Sequence, residues 1–128
     1  MAVSNKVAFI IEDDPQTSTM YSDALSDVGF EILSEMDGQK ALDWLKANPA
    51  PMLIMLDVNL PHLSGDDIYD ALRKDDKFGD TAIFMTTGLE YTAKVLQGEL
   101  NKGDVILNKP VDIYELQTIA KGLTADKL

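Results

Sequence analysis

Short apolar runs alternate with amphipathic stretches along the chain. Val7-Ala8-Phe9-Ile10-Ile11 is a continuous apolar run of strand length. Asp14-Pro15 then opens a helix, with Asp14 as N-cap and proline in the first turn. Met20, Ala24, Leu25 and Val28 supply its apolar face, and Gly29 ends it. Phe30 to Ser34 alternates as a short second strand. Ala41, Leu42 and Leu45, with Trp44 beside them, form a second helical stripe that stops before Asn48-Pro49. Met52-Leu53-Ile54-Met55-Leu56 is apolar throughout, as expected for a strand buried on both faces. A polar loop from Asp57 to Gly65 leads to a third helix marked by Ile68, Ala71 and Leu72. Ala82-Ile83-Phe84-Met85 reads as the fourth strand and Val105-Ile106-Leu107 as the fifth. A helix between them, near Tyr91 to Leu100, has the weakest signal, because Gly98 lies inside it at a cost of about 1 kcal/mol. Asp112 and Glu115 resemble a capping box, and Ile113, Leu116, Ala120 and Leu123 give the last helix its apolar face.

Strict alternation of strand and helix predicts an α/β domain with a parallel sheet, doubly wound because right-handed crossovers place helices on both faces. The expected architecture is a flavodoxin-like (βα)5 fold with strand order 2-1-3-4-5. At 128 residues the chain is read as one domain, residues 1–128, with no output domain following the last helix. No linker or repeat interrupts it.

Composition narrows the function. Lys and Arg number 11 against 22 acidic residues, for a formal charge of −11. That balance argues against direct binding to nucleic acid or to an anionic membrane surface, both of which need a basic footprint. With no cysteine, disulfides and thiolate metal sites are excluded. No apolar run approaches the ~20 residues of a membrane span, and the first six residues lack the core of a signal peptide. A soluble cytoplasmic location is the expectation.

In a parallel sheet of this type, ligands bind beyond the carboxyl ends of the strands. The residues there are Glu12, Asp13 and Asp14 after the first strand, Asp57 after the third, Thr86 and Thr87 after the fourth, and Lys109 after the fifth. With strands one and three adjacent, Glu12, Asp13 and Asp57 share a pocket. Two like charges at ~4 Å repel by ~4 kcal/mol at an effective dielectric of ~20, so three carboxylates require a counter-charge. Oxygen-only ligands point to a hard cation, and Mg2+ suits one or two carboxylates completed by water and phosphate oxygens. A carboxylate can also serve as a nucleophile, and Lys109 and a threonine hydroxyl are placed to meet phosphoryl oxygens.

Taken in order, Glu12-Asp13, Asp57 with Pro61 and Gly65, Thr87-Gly88 and Lys109-Pro110 resemble the receiver domains of response regulators in two-component systems, over essentially the whole chain. The resemblance implies that Asp57 accepts a phosphoryl group from a histidine kinase or phosphotransfer protein. It implies that Asp13, Asp57 and the Asn59 backbone carbonyl bind Mg2+, with Glu12 acting through a metal-bound water, and that Thr87 and Lys109 contact the phosphoryl group. It further implies a switch of the surface built from the fourth helix, fifth strand and fifth helix, a downstream protein target, and a monomer or phosphorylation-dependent dimer. Such a domain catalyses its own phosphorylation and dephosphorylation without turning over an external substrate. Ile106 stands where many members carry an aromatic residue that rotates on switching, and Gly88 stands where alanine is common.

Other features have simpler readings. Asp14 is read as a helix cap, His62 as a solvated loop residue, and the six methionines as mostly core or chain start rather than a metal site. Thr86 is expected to point to the opposite side of the strand from Thr87. Two other functions fit parts of the pattern. One is a Mg2+-dependent phosphohydrolase with an aspartyl-phosphate intermediate, although Asn59 stands where such enzymes place a second acid. The other is a degenerate receiver that only binds partners.

Overall fold

The computed structural model describes residues 6–88 and 103–125. Five strands, β1 (Val7–Ile11), β2 (Glu31–Glu35), β3 (Leu53–Asp57), β4 (Ala82–Thr87) and β5 (Val105–Asn108), form one parallel sheet in the order β2-β1-β3-β4-β5. Helices α1 (Pro15–Asp27), α2 (Gly38–Ala47) and α3 (Gly65–Arg73), a 3-10 turn at Asp76–Phe78 and a C-terminal helix (Ile113–Ala125) complete the described elements. The doubly wound architecture expected from the alternation is the one observed. The helix expected near Tyr91 to Leu100 lies outside the described residues.

Side-chain alternation along the strands divides the core into two layers. Phe9, Ile11, Ile54, Leu56, Ile83 and Met85 face Ala41, Leu42 and Leu45 of α2 and Ile68 and Leu72 of α3. Ala8, Ile10, Leu53, Met55, Phe84 and Leu107 face Tyr21, Ala24 and Leu25 of α1 and Leu116 and Ala120 of the C-terminal helix. β3 lies at the centre of the sheet and is buried over all five residues, which is why its sequence shows no polar alternation.

The strand ends shift slightly from the expected ones. β2 begins at Glu31 rather than Phe30, and β3 runs one residue further to include Asp57. β4 extends through Thr86 and Thr87, and β5 through Asn108. Backbone pairing with the neighbouring strand carries these polar residues into the sheet. On α1 the buried face is Tyr21, Ala24 and Leu25, whereas Met20 is 48% exposed. The i, i+3, i+4 set therefore starts at Tyr21, one residue later than expected. Met36 is also exposed, while Met55 and Met85 are core. The 3-10 turn buries Phe78 and was not anticipated.

Several caps match their residues. The Asp14 carboxylate accepts the Thr17 N–H at 3.0 Å, and the resulting interactions with Thr17 hold the Asp14 carboxyl below its ordinary range. Glu115 N–H donates to Asp112 at 3.2 Å, one half of the expected capping box. Gly103 has a φ of +95°, a left-handed turn that glycine accommodates without strain, directly before β5. The next residue, Asp104, is more than part of a turn. Its carboxylate accepts from Arg73 Nε at 3.0 Å and Nη2 at 2.6 Å, from the Tyr69 hydroxyl at 2.8 Å and from Ile83 N–H at 3.0 Å. This buried cluster ties the end of α3 to the start of the β4–β5 pair.

Candidate functional site

The sheet register aligns the acids. Ile11 pairs with Leu56, so Glu12 follows opposite Asp57, and Asp57 pairs with Thr86. By strand alternation Glu12, Asp57 and Thr86 form a row across β1, β3 and β4 on the face covered by α1 and the C-terminal helix. Asp13 follows in the loop before α1 and is exposed. One carboxylate oxygen each from Glu12, Asp13 and Asp57 lies within 4.8 Å of the others.

Gly65 makes the β3–α3 connection possible. A Cβ there would collide with the Asp57 carbonyl oxygen and lie 2.6 Å from Val58 Cα, which is immobile backbone on both sides. The Gly65 N–H donates to the Val58 carbonyl at 3.0 Å, so the loop closes on the residue after the candidate nucleophile. The Asn59 N–H donates to Asp57 Oδ1 at 2.9 Å and fixes the carboxylate plane. His62 is exposed on this loop with a φ of +70°, consistent with a loop role.

Lys109 supplies the positive charge. The Lys109 N–H donates to the Thr87 carbonyl at 2.8 Å, continuing the β4–β5 ladder, and a cis peptide bond joins Lys109 to Pro110. Its Nζ lies 3.1 Å from Asp57 Oδ2 and 3.4 Å from Glu12 Oε1. Burial alone would lower the Lys109 ammonium, but the charges of Asp57 and Glu12 outweigh it and hold it above its ordinary value. Glu12 and Asp57 are each only 2% exposed. Burial, reinforced by the Asp57 charge, pushes the Glu12 carboxyl up to about 7. Among the described residues, three carboxylates against one ammonium leave two negative charges uncompensated when all four groups are ionised.

This set suits a hard divalent cation. All its side-chain ligands are oxygen, and Glu12 Oε1 is buried without a hydrogen-bond partner among the described residues although the ammonium is near. Carboxylate oxygens within 4.8 Å of one another repel by at least about 3 kcal/mol per pair of charges at an effective dielectric of ~20, which a bound cation would offset.

Thr87 is buried at the end of β4, and its hydroxyl donates to the Gly88 carbonyl at 3.2 Å. The Asn59 side-chain amide lies above Gly88, 3.9 Å from where a Cβ would stand. The fold thus gathers Glu12, Asp13, Asp57 and Lys109 directly, sets the Asn59 N–H on Asp57, and buries Thr87 at the end of β4. Thr86 and Thr87 alternate to opposite faces as expected, but it is Thr86 that shares a face with Asp57. Sequence reasoning missed Tyr21, which approaches this row from α1. The available signal was its i, i+3, i+4 spacing with Ala24 and Leu25.

Comparisons with known proteins agree with this geometry. The chain is 33% identical over 114 residues to the DNA-binding dual master transcriptional regulator RpaA of Synechocystis, covering 89% of this chain and 47% of that protein. It is 26% identical over 123 residues to the polar-differentiation response regulator DivK of Brucella anthropi, covering 94% and 98%. The chain spans about half the length of the first three relatives it matches, and nearly all of DivK. Among solved structures it resembles a putative response regulator from Chloroflexus aurantiacus, with a TM-score of 0.79, 25% identity and coverage of 93% and 97%. The chemotaxis response regulator CheY4 of Vibrio cholerae gives 0.76, 25%, and coverage of 91% and 96%. The family model for the response regulator receiver domain matches residues 8–121, from the first strand into the last helix. The matched span takes in the strand ends that carry Glu12, Asp13 and Asp57, and the chain belongs to the response regulator receiver domain family.

Proposed function

We propose that the chain is a phosphoacceptor in two-component signalling, with Asp57 taking a phosphoryl group from the phosphohistidine of a histidine kinase or phosphotransfer protein. The observation that carries this reading is the Lys109 ammonium on Asp57 Oδ2 at 3.1 Å within a cluster of three carboxylates. An Asp57 oxygen attacks phosphorus, an O–P bond forms, and the P–N bond of the donor breaks with its electron pair returning to the imidazole.

Asp13 and Asp57, with the Asn59 backbone carbonyl, are the residues that would hold Mg2+, and Glu12 would act through a water on it. The ion would neutralise phosphoryl oxygens as charge shifts during transfer. Asn59 N–H holds Asp57 Oδ1, which leaves the carboxylate oriented before the donor arrives. Lys109 already sits at the other oxygen, and its charge is available to a phosphoryl group bound there. Thr87 would turn its hydroxyl from the Gly88 carbonyl to a phosphoryl oxygen, a local exchange of one acceptor for another. That exchange is the start of the surface change, a population shift biased by phosphate contacts.

Incubation with acetyl phosphate and Mg2+, followed by intact-mass measurement, tests the reading. One added phosphoryl group is expected on the wild type and none on Asp57→Asn. A wild type that binds Mg2+ yet remains unmodified would refute it.

A further inference from the structure

The loop between β3 and α3 carries Asn59 between two buried neighbours. Val58 and Leu60 both lie in the core layer shared with α2 and α3, whereas Asn59 is exposed. Anchors on either side therefore fix where the Asn59 peptide groups point. Its N–H donates to Asp57 Oδ1 at 2.9 Å. Its carbonyl, a candidate Mg2+ ligand, belongs to the planar peptide unit shared with Leu60, so a displaced Leu60 displaces it too.

Leu60 reaches its seat because α2 begins with a glycine. A Cβ on Gly38 would lie 2.9 Å from Ile68 Cδ1, 3.1 Å from the Leu63 carbonyl oxygen and 3.3 Å from Leu60 Cδ1. Two of these three atoms belong to the loop. Backbone conformation does not call for glycine here, since Gly38 is helical and its φ is not positive. Helix propensity favours alanine, by up to about 1 kcal/mol in a helix interior. Close approach of the loop is what the position requires.

α2 is held at both ends. Asp37 caps its start by accepting the Gln39 N–H at 3.2 Å. Lys77 Nζ donates to the Leu45 carbonyl at 2.6 Å and the Lys46 carbonyl at 3.0 Å, which satisfies carbonyls of the last turn. Ala41, Leu42 and Leu45 are buried between these ends. A methyl group on residue 38 would meet the Ile68 δ-methyl, which can rotate, and also Leu60 and the Leu63 backbone. With the helix fixed, the loop is the part that yields.

We propose that Gly38 is a positioning residue, which lets the first turn of α2 seat Leu60 and Leu63 and so keeps the Asn59 N–H on Asp57. The inference rests on the phosphoacceptor reading for its consequence in phosphoryl transfer. Gly38 touches no reacting atom and acts through the loop.

The test compares wild type, Gly38→Ala, Leu60→Ala and Leu45→Val. Gly38→Ala pushes on the loop and Leu60→Ala removes its anchor, whereas Leu45→Val loosens the far end of α2. Urea denaturation establishes that each variant is folded and how much stability it has lost. In metal-free protein, the NMR signal of the Asn59 amide proton should move upfield and exchange faster with solvent in both loop variants, because its bond to the carboxylate is weakened. Calorimetry should show Mg2+ binding weakened by about tenfold, the range typical of groups that orient metal ligands without being ligands. Leu45→Val should leave both readouts at wild-type values.

An unchanged Asn59 signal or an unchanged Mg2+ affinity in a folded loop variant would overturn the proposal, and Leu60→Ala carries the test alone if Gly38→Ala does not fold. Equal changes in Leu45→Val would also overturn it, by showing that any loosening of α2 has the same effect. If the signal and the affinity change as expected but the wild type never takes up phosphate from acetyl phosphate, the phosphoacceptor reading falls and the positioning by Gly38 stands.

Discussion

Glu12 makes the metal-free protein sensitive to pH in an unusual direction. Its carboxyl is raised from 4.5 to about 7 by burial and by the neighbouring Asp57 charge. Between these values the folded chain binds a proton that the unfolded chain has released. Stability therefore falls as pH rises through this window and levels off above it. Lys109 adds no slope there, because its ammonium is held above its ordinary value of 10.5 and is charged in both states. A carboxyl moved from 4.5 to about 7 corresponds to at most about 3 kcal/mol. Screening of a cluster open to solvent through Asp13 and Lys109 reduces the expected loss to about 1–2 kcal/mol. The assay is urea denaturation in chelator at pH 5 and pH 8 for the wild type and Glu12→Gln. Glutamine keeps the size of the side chain and removes the titration, so the wild type should lose about 1–2 kcal/mol more than the variant over this interval. Saturating Mg2+ should shrink that difference, since a bound cation favours the ionised carboxyl. Identical pH slopes for the two proteins in chelator would show that Glu12 is not held protonated by its neighbours, and the electrostatic account of the cluster would fail.

Two further predictions concern the scaffold. Asp104→Ala should cost about 3–5 kcal/mol, because it leaves Arg73, only 11% exposed, without its counter-charge and removes the carboxylate to which the Tyr69 hydroxyl and the Ile83 N–H donate. Thermal unfolding should then shift by roughly 10 °C or more, and a loss below about 1 kcal/mol would contradict the assigned network. Gly65→Ala places a methyl group against the backbone of Asp57 and Val58. It should cost about 1–3 kcal/mol and displace the candidate nucleophile, so phosphorylation by acetyl phosphate should fall even where urea titration shows the protein folded. Wild-type phosphorylation in this variant would show that the loop can move aside without disturbing Asp57.

Much of the fold was legible because burial and periodicity are local properties. The five-residue run Met52–Leu56 announced a buried strand, and the stripes at Ala41, Leu42 and Leu45 and at Ile68 and Leu72 announced two helices, which the structure packs on one side of the sheet. The acids at the strand ends were legible for the same reason: parallel topology sends every strand's carboxyl end to one edge. What lay beyond reach depended on three-dimensional partners. The role of Asp104 could not be read from the sequence, because its partners, Arg73 and Tyr69, lie 31 and 35 positions away in the chain. Tyr21 could not be told from Met20 as the buried residue of α1, because only the packing of α1 on the sheet decides which of the two turns inward.

Residue order alone thus determined which segments become strands and helices and which polar side chains gather at one end of the sheet. Tertiary structure decided the distances: Lys109 at 3.1 Å from Asp57, and Glu12 buried enough to hold a proton near neutrality. Periodicity specifies a face, whereas Coulomb energies and proton affinities vary with separation and solvent exposure, and these exist only after distant segments have packed together.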